Sequence, residues 1–489
     1  MAVVAEATTT AVPARHRLRW YALAAVLATH CMDLLDSMMV STAGPTIRTG
    51  LHGSYSDLQW MTAGYTLAFA TMLITGGRMG DIFGLKRVFL VGTAGFTVAS
   101  VVAGLSVNTD MLIGMRSLQG FFVAIMVPQG LGIMRELFPG RELPKAIGMM
   151  GPVVGMAAII GPILGGALAS GDLFGLGWRA VFFVNAPIGL AAVIGGIKLI
   201  PGTGPTDRGR SRRLDGVGTA LAAAAMLLLA YPLMQGRDKG WPAWCFISMA
   251  AALPVLVVFG MHQRRRAAAG RTPLVELGLF NNMRFVVALL LGMLYYVALS
   301  GMMFALIVQL QLGHGFSALD AGLVMMPWTL GSAIGAALAG AVLVRRWGDR
   351  ATLQAGLGAL AVGAVALTVV VANIHSSDQT VTAWQLLPAL LVIGLGMGGV
   401  LTPYYNIAIG SVAIKETGSA SGLLNAFQQV GNSIGVAALG TVFLSCLTHG
   451  GTGGFDGAMQ VTFWIAAGLL TAAFASAFLL PSRTHHRED

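Results

Sequence analysis

Charge is what this chain has least of. Only 10% of its 489 residues are Asp, Glu, Lys or Arg, against about 25% in an average soluble domain. Hydrophobic residues make up 56% and the mean hydropathy is +0.75. A water-soluble fold could not bury that much apolar surface, which excludes soluble enzymes and binding modules and leaves a polytopic membrane protein. Cysteine is scarce too. Cys31, Cys245 and Cys446 all fall in apolar runs without metal-ligand spacing, which excludes a disulfide framework and a metal centre. No glycine-rich loop ending in Lys-Ser or Lys-Thr occurs, nor a nucleophile elbow, so ATP hydrolysis and covalent catalysis have no support. The chain is not expected to be an enzyme or to hold a cofactor.

What is present is a succession of long apolar runs. About 20 apolar residues are needed per span, and fourteen such stretches begin near Trp20, Leu58, Val88, Leu112, Ala146, Ala180, Val217, Trp244, Phe285, Ala318, Thr352, Trp384, Ser419 and Gly457. The 66 glycines suit closely packed membrane helices. The first run is too long for a signal-peptide core and contains acids, so it is expected to be a retained helix. A net charge of +10 would suggest nucleic acid in a soluble protein. Here the basic residues sit between spans: 25 of 30 fall on the side of the N-terminus and only four on the other. That bias predicts a multi-pass cell-membrane (inner-membrane) protein with both termini cytoplasmic and no nucleic-acid partner.

The first span carries His30, Asp33 and Asp36. A carboxylate near the bilayer centre costs about 2.5 to 3.5 kcal/mol on insertion scales, and such groups mark ion paths. Spacings of three place all three residues toward one side of a helix. In the fourth span Arg116 cannot shed its proton and needs a carboxylate, carbonyl or water. Asp33 and Asp36 are the acids at its depth, so the three are expected to meet. Burial and a nearby guanidinium act on a carboxyl in opposite senses, and a conformational change can exchange one for the other. His30 joins the candidate proton path because its imidazole titrates in the useful range.

The chain also repeats itself. Gly77-Arg-Met-Gly-Asp81-Ile-Phe-Gly84-Leu-Lys86-Arg87 closes the second span, and Gly340 to Arg350 closes the tenth, 264 residues on when aligned on Gly84 and Gly348. Pro128 and Pro403 are 275 apart; Gly148, Gly161 and Gly166 match Gly422, Gly435 and Gly440 at 274. Spans 1 to 6 thus correspond to spans 9 to 14, with spans 7 and 8 inserted. Such repeats point to a transporter with its site between two halves.

The second-span ending resembles the loop signature of the major facilitator superfamily. The string Gly161-Pro162-Ile-Leu-Gly165-Gly166 is similar to the antiporter signature of that family's drug:proton exchangers. Leu35-Asp36 with Pro45, Gln59-Trp60 with Tyr65, Trp178-Arg179 through Asn185, and Leu214-Asp215 with Gly218 resemble its fourteen-span branch. Ser41 departs from the Asn common in that pattern, and Asp33 is an extra acid beside the expected Asp36.

The resemblance implies an all-α major facilitator fold of two six-helix bundles plus two extra helices. The expected divisions are a tail 1–19, a first bundle 20–200, inserted helices 201–284, a second bundle 285–480 and a tail 481–489. Gly77, Asp81, Gly84, Lys86 and Arg87 are implied to form a gating loop; Asp33, Asp36, Arg116 and His30 would couple protons; Gly161, Pro162, Gly165 and Gly166 would form the antiporter bend. The implied activity is proton-driven efflux of an amphipathic or cationic drug or antibiotic, Asp36 being protonated with Asp33 in support. Which of the two acids carries the proton stays open. The alternative is a proton-coupled uptake symporter of a small metabolite, against which the Gly-Pro string argues. Tyr65, Gln119, Tyr295, Tyr404, Asn425, Gln428 and Gln429 are candidates for the substrate path, since polar groups at membrane depth can line a wet cavity. The expected partners are a small-molecule substrate and the lipid bilayer, with the chain acting as a monomer and the proton gradient in place of a cofactor. The substrate, the stoichiometry and the role of spans 7 and 8 are not encoded in any recognisable pattern.

Overall fold

Lipid offers no hydrogen-bond partners, so a backbone crossing it must satisfy its own groups, and a chain of apolar runs does so as helices. The computed structural model describes residues 18–138, 142, 146, 149–172, 175–201, 215–236, 239–271, 273–275, 277–376, 382–412, 417–448 and 454–480. All regular structure among them is helical.

The first bundle comprises α1 (Arg19–Gly50), α2 (Tyr55–Phe83), α3 (Leu85–Gly104), α4 (Thr109–Leu137), α5 (Met150–Ser170) and α6 (Gly177–Leu199). Two helices follow, α7 (Gly216–Gln235) and α8 (Ala243–Ala268). The second bundle comprises α9 (Met283–Gly313), α10 (318–347), α11 (349–376), α12 (Ala383–Gly410), α13 (Thr417–Thr448) and α14 (Gly454–Ser476). The expected fourteen spans are therefore present among the described residues. The two proposed tails fall almost wholly outside those residues, as do Gly148 and most of the linker before α7.

Local chemistry sets the turns. Ser54 and Asp57 form a reciprocal capping box at the start of α2 (3.1 and 2.8 Å), satisfying donors that a helix start leaves free. Gly84 between α2 and α3 has φ 92°, and Gly348 between α10 and α11 has φ 81°. An L side chain is strained in that conformation, which is why the two repeated signatures place a glycine at this turn.

The first bundle has its own apolar cores, built on residues such as Phe89, Phe96 and Phe138, and on Met39, Trp178 and Phe182. A larger core fills the second bundle and also takes in Leu58, Ala63 and Leu67 of α2. Two seams join the bundles, α2 against α13 and α5 against the start of α10. Both lie toward the end of the molecule away from the termini, here called the far end. There Gln59 donates to the Val436 carbonyl (3.1 Å), Ser433 to that of Ala63 (3.3 Å), and Gln311 to that of Thr42 (2.5 Å). At the terminus end a Cβ built on Gly422 would meet nothing within 4 Å, and Asn425 is exposed. The halves are closed on each other at the far end.

Helix α7 packs on α8 and leans on α2 and α13. The outer face of α8, with Ile247 and Leu253 about two-thirds exposed (68% and 67%), is turned to lipid. The pair is pinned at the terminus end by Asp215. Its carboxylate caps α7 through the Gly218 amide (2.9 Å) and accepts from His262 (2.8 Å) and Gln263 (2.9 Å) of α8, with Arg266 at 3.6 Å. Burial pushes this carboxyl up, but the hydrogen bonds and the Arg266 charge outweigh it and hold it below the usual carboxylate range. A lowered folded-state value means the contribution is complete at neutral pH and vanishes as the pH falls through that value. Asp215→Ala is accordingly expected to cost about 1 to 2 kcal/mol at neutral pH, the value of a lost cap. The gap between the thermal midpoints of variant and wild type should close on acidification below the ordinary carboxylate range. A gap that persists there would assign the effect to packing instead.

Candidate functional site

Four helices of the first bundle each send one or more polar side chains to the same buried point. Asp36 of α1 is wholly buried, as are Arg116 (1% exposed) and Gln119 of α4 and Asn185 of α6. Arg116 Nη1 donates to Asp36 Oδ2 and to Gln119 Oε1 (2.9 Å), and its Nε donates to the Met61 carbonyl of α2 (3.1 Å). The other carboxylate oxygen, Asp36 Oδ1, accepts from Asn185 Nδ2 (2.7 Å) and from Gln119 Nε2 (3.4 Å). Asn185 is itself held by Ser100 of α3 (2.9 Å), whose hydroxyl donates to the Phe182 carbonyl (3.0 Å). An ion pair taken out of water is tolerated only with such full pairing.

Asp33 stands one turn away on α1 and is 6% exposed. Its partner is the Tyr65 hydroxyl of α2, which donates to Oδ1. The Arg116 guanidinium lies 4.4 Å from the centre of the Tyr65 ring, so the ring bridges the two acids' surroundings. The expected meeting of acids and arginine is thus divided. Arg116 pairs with Asp36, and Asp33 bonds to Tyr65.

His30 is half-buried and lines a small separate cavity with Met126, Val127, Gly130 and Met150. Asn185 and Ser100 were absent from the sequence-derived site. Their signal was weak, a single Asn and a single Ser inside otherwise apolar runs, which interhelical bonding explains equally well.

The gating-loop residues fall at the terminus end between α2 and α3. Lys86 Nζ donates to the Ile197 and Ile200 carbonyls (2.7 and 2.6 Å) and so closes the C-terminus of α6, while Arg87 is exposed. A Cβ on Gly77 would sit 3.7 Å from Pro128 of α4. The Asp81 side chain lies outside the described residues. In the second half the acid after the glycine, Asp349, is buried and accepts from Asn406 (2.9 Å).

The Gly-Pro string is a contact surface. A Cβ on Gly161 would lie 2.5 Å from Met38 Cβ, and one on Gly165 2.5 Å from Met39 Cα, so these two glycines let α5 press against α1. Gly166 faces the other way, onto the Ala318 and Leu319 backbone of α10, and Gly322 faces the Pro162 carbonyl. Of the repeat partners, Gly435 lies on Val297 and Ser300 of α9, and Gly440 on Gln59 of α2 and Phe304 of α9. Small residues permit this approach of backbones.

Of the substrate-path candidates, Tyr65 and Gln119 belong to the buried cluster just described. Tyr295 and Tyr404, 1% and 3% exposed, pack in an edge-to-face stack with Tyr296 and Tyr405 inside the second bundle. Their rings fill core volume because aromatic pairs gain most when enclosed. Tyr405 donates to Gln428 (3.1 Å), and Gln429 accepts from Asn432 (3.5 Å). With exposed Asn425, these amides give α13 a polar strip toward the terminus end. Among the described residues no group of three His, Cys, Asp or Glu is placed to hold a metal ion.

A profile of the Major Facilitator Superfamily matches residues 26–436. Over 461 residues the chain is 42% identical to a Streptomyces coelicolor protein named as a probable actinorhodin transporter, covering 94% of this chain and 78% of that one. Over 426 residues it is 34% identical to the tetracenomycin C resistance and export protein of Streptomyces glaucescens, covering 87% and 76%. Among solved structures, an auto-inhibited peptide transporter of the POT family superposes with a TM-score of 0.68 at 13% identity over 96% of this chain and 99% of that one. That last likeness is one of fold alone.

Proposed function

Because the chain belongs to the Major Facilitator Superfamily, a transporter family, we propose that it expels an amphipathic or cationic drug or antibiotic across the cytoplasmic membrane in exchange for protons. The observation that carries this reading is the buried Asp36–Arg116 pair beside Asp33 and Tyr65, set in a chain whose relatives are named for antibiotic export and resistance. Efflux needs an acid that is charged in one state and neutral in another, and a membrane interior makes that change energetically consequential.

The cycle follows from the seams. With the termini in the cytoplasm, the far end is the outer face, and its closure corresponds to a protein open inward. Substrate enters from the cytoplasm between the bundles, meeting the polar strip of α13 and the α1 side of the first bundle. The bundles then rock about the α2–α13 and α5–α10 seams, the outer end parts, and a proton taken from outside displaces the substrate. Return to the inward state releases that proton inside. Substrate and proton favour different states of the same acidic site, so each drives out the other. The chain works as a monomer, with its substrate and the bilayer as its only partners.

In cells expressing the chain and loaded with ethidium, collapse of the pH gradient is expected to stop efflux. ATP depletion with the gradient maintained should leave it running. Asp36→Asn should abolish gradient-driven efflux in protein that still inserts. In inverted vesicles an imposed proton gradient should drive uptake of the dye into the vesicle. Movement the other way would instead support the uptake symporter, and gradient-independent movement would defeat proton coupling.

A further inference from the structure

The geometry points to a division of labour between the two acids of α1, with Asp33 as the group that takes up and releases the proton and Asp36 as a fixed counter-charge that positions Arg116. This rests on the proton-coupled reading above and names the residue that carries it, contrary to the expectation that Asp36 does so.

The two carboxyls differ in what each would do with a proton. Asp36 faces nitrogen donors: Arg116 Nη1 on one oxygen, Asn185 Nδ2 and Gln119 Nε2 on the other. None of these N–H groups can accept a hydrogen bond in return. A protonated Asp36 would require an amide such as Asn185 to turn its oxygen inward, and would leave Arg116, 1% exposed, without its counter-ion, a costly arrangement for a buried cation. Asp33 faces a hydroxyl. The Tyr65 oxygen donates to a carboxylate and, by turning its own hydrogen aside, accepts from a carboxylic acid. Asp33 therefore keeps its hydroxyl partner in either protonation state without stranding a charge, whereas protonating Asp36 takes the counter-ion from a buried guanidinium.

Position agrees with this. Asp36 is 0% exposed, whereas Asp33 retains 6%. His30, Leu34, Ser37 and Ser41 make a partly exposed strip on the side of α1 that Asp33 shares, whereas Asp36 points into the α3, α4 and α6 side chains. The ionisable groups around Asp33 are few. His30 and Asp36 lie on its own helix, Tyr65 comes from α2, and Arg116 comes from α4. Helix α5 has no ionisable residue, and those of α6, Arg179 and Lys198, stand near its two ends. Both neighbouring charges, Asp36 and Arg116, are tied to each other, so the net field at Asp33 changes little unless that pair is broken.

The test follows the proton itself, so it needs no known substrate. Purified wild type, Asp33→Asn, Asp36→Asn and Tyr65→Phe are titrated in lipid while the carboxylic C=O stretch is recorded by infrared difference spectroscopy. Each is also reconstituted in vesicles, where ethidium efflux is measured with and without an imposed pH gradient. The wild type should show a titrating carboxylic band that Asp33→Asn removes and Asp36→Asn retains. Tyr65→Phe should keep the band with a displaced midpoint, which serves as the second reading if Asp33→Asn does not fold. Asp33→Asn should lose at least tenfold of the gradient stimulation of efflux. A band that disappears in Asp36→Asn and survives in Asp33→Asn overturns the division, as does a midpoint unmoved in Tyr65→Phe. Efflux that ignores the gradient in the wild type defeats the antiport reading. Efflux coupled in the wild type and equally coupled in Asp33→Asn defeats the assignment of Asp33 alone.

Discussion

Arg116→Met should be among the most damaging single changes in this chain, lowering stability by about 3 to 5 kcal/mol, the cost of removing one partner from a buried ion pair. The substitution removes the charge that Asp36 faces, the donor to Gln119 and the bond to the Met61 carbonyl together. It also leaves Asp36, wholly buried, with only the Asn185 and Gln119 amides. Asp36→Asn should do comparable harm by leaving the guanidinium uncompensated. The informative variant is the double one. Asp36→Asn with Arg116→Gln removes both charges and keeps amide partners on every side, so its thermal midpoint should return most of the way to wild type. Intrinsic tryptophan fluorescence during heating in detergent micelles measures all four proteins. A double variant no more stable than either single one would mean that the pair contributes little and that the loss comes from shape.

Gly166→Val should leave insertion intact and reduce ethidium efflux at least tenfold, because its side chain would occupy the space of the Ala318 and Leu319 backbone across the α5–α10 seam. Backbone cannot rotate out of the way as a side chain can, so overpacking here is relieved by parting the bundles. The far end should then open more readily. With the three native cysteines replaced, Thr42→Cys, buried at the far end where Gln311 of α9 meets α1, should react faster with a membrane-impermeant maleimide in the Gly166→Val background than without it. Gly422→Ala is the control, since nothing stands within 4 Å of the added carbon. Unchanged labelling in Gly166→Val would remove the seam from the gating account.

Both predictions use residues that could be picked out beforehand, though not for the same reasons. Asp36 and Arg116 were conspicuous because charges inside apolar runs are expensive, and few partners of opposite sign lay at their depth. The glycines were conspicuous through their repetition at a fixed offset, and the structure gives that repetition a physical meaning. Gly161 and Gly435 carry α5 and α13 on the first helix of their own half, whereas Gly166 faces the opposite half and Gly440 sits between Gln59 of the opposite half and Phe304 of its own. A tyrosine at membrane depth suits a wet cavity and a buried aromatic stack equally; Tyr295 and Tyr404 stand in such a stack, which only their neighbours make visible.

That the chain spans a membrane as helices, where those helices turn, that two halves repeat, and that acids on the first helix need an arginine from the fourth are all legible in the order of residues alone. Those follow from composition and from costs that hold in any fold: lipid forbids unsatisfied backbone, a positive φ favours glycine, and a buried charge demands its opposite. Which acid meets which partner depends on how the helices pack. Residues three apart on a helix differ in direction by about 60°, enough to send Asp36 toward α4 and α6 and Asp33 toward α2. Spacing places both acids on one side; the crossing of neighbouring helices gives one of them a set of fixed donors and the other a hydroxyl that can turn.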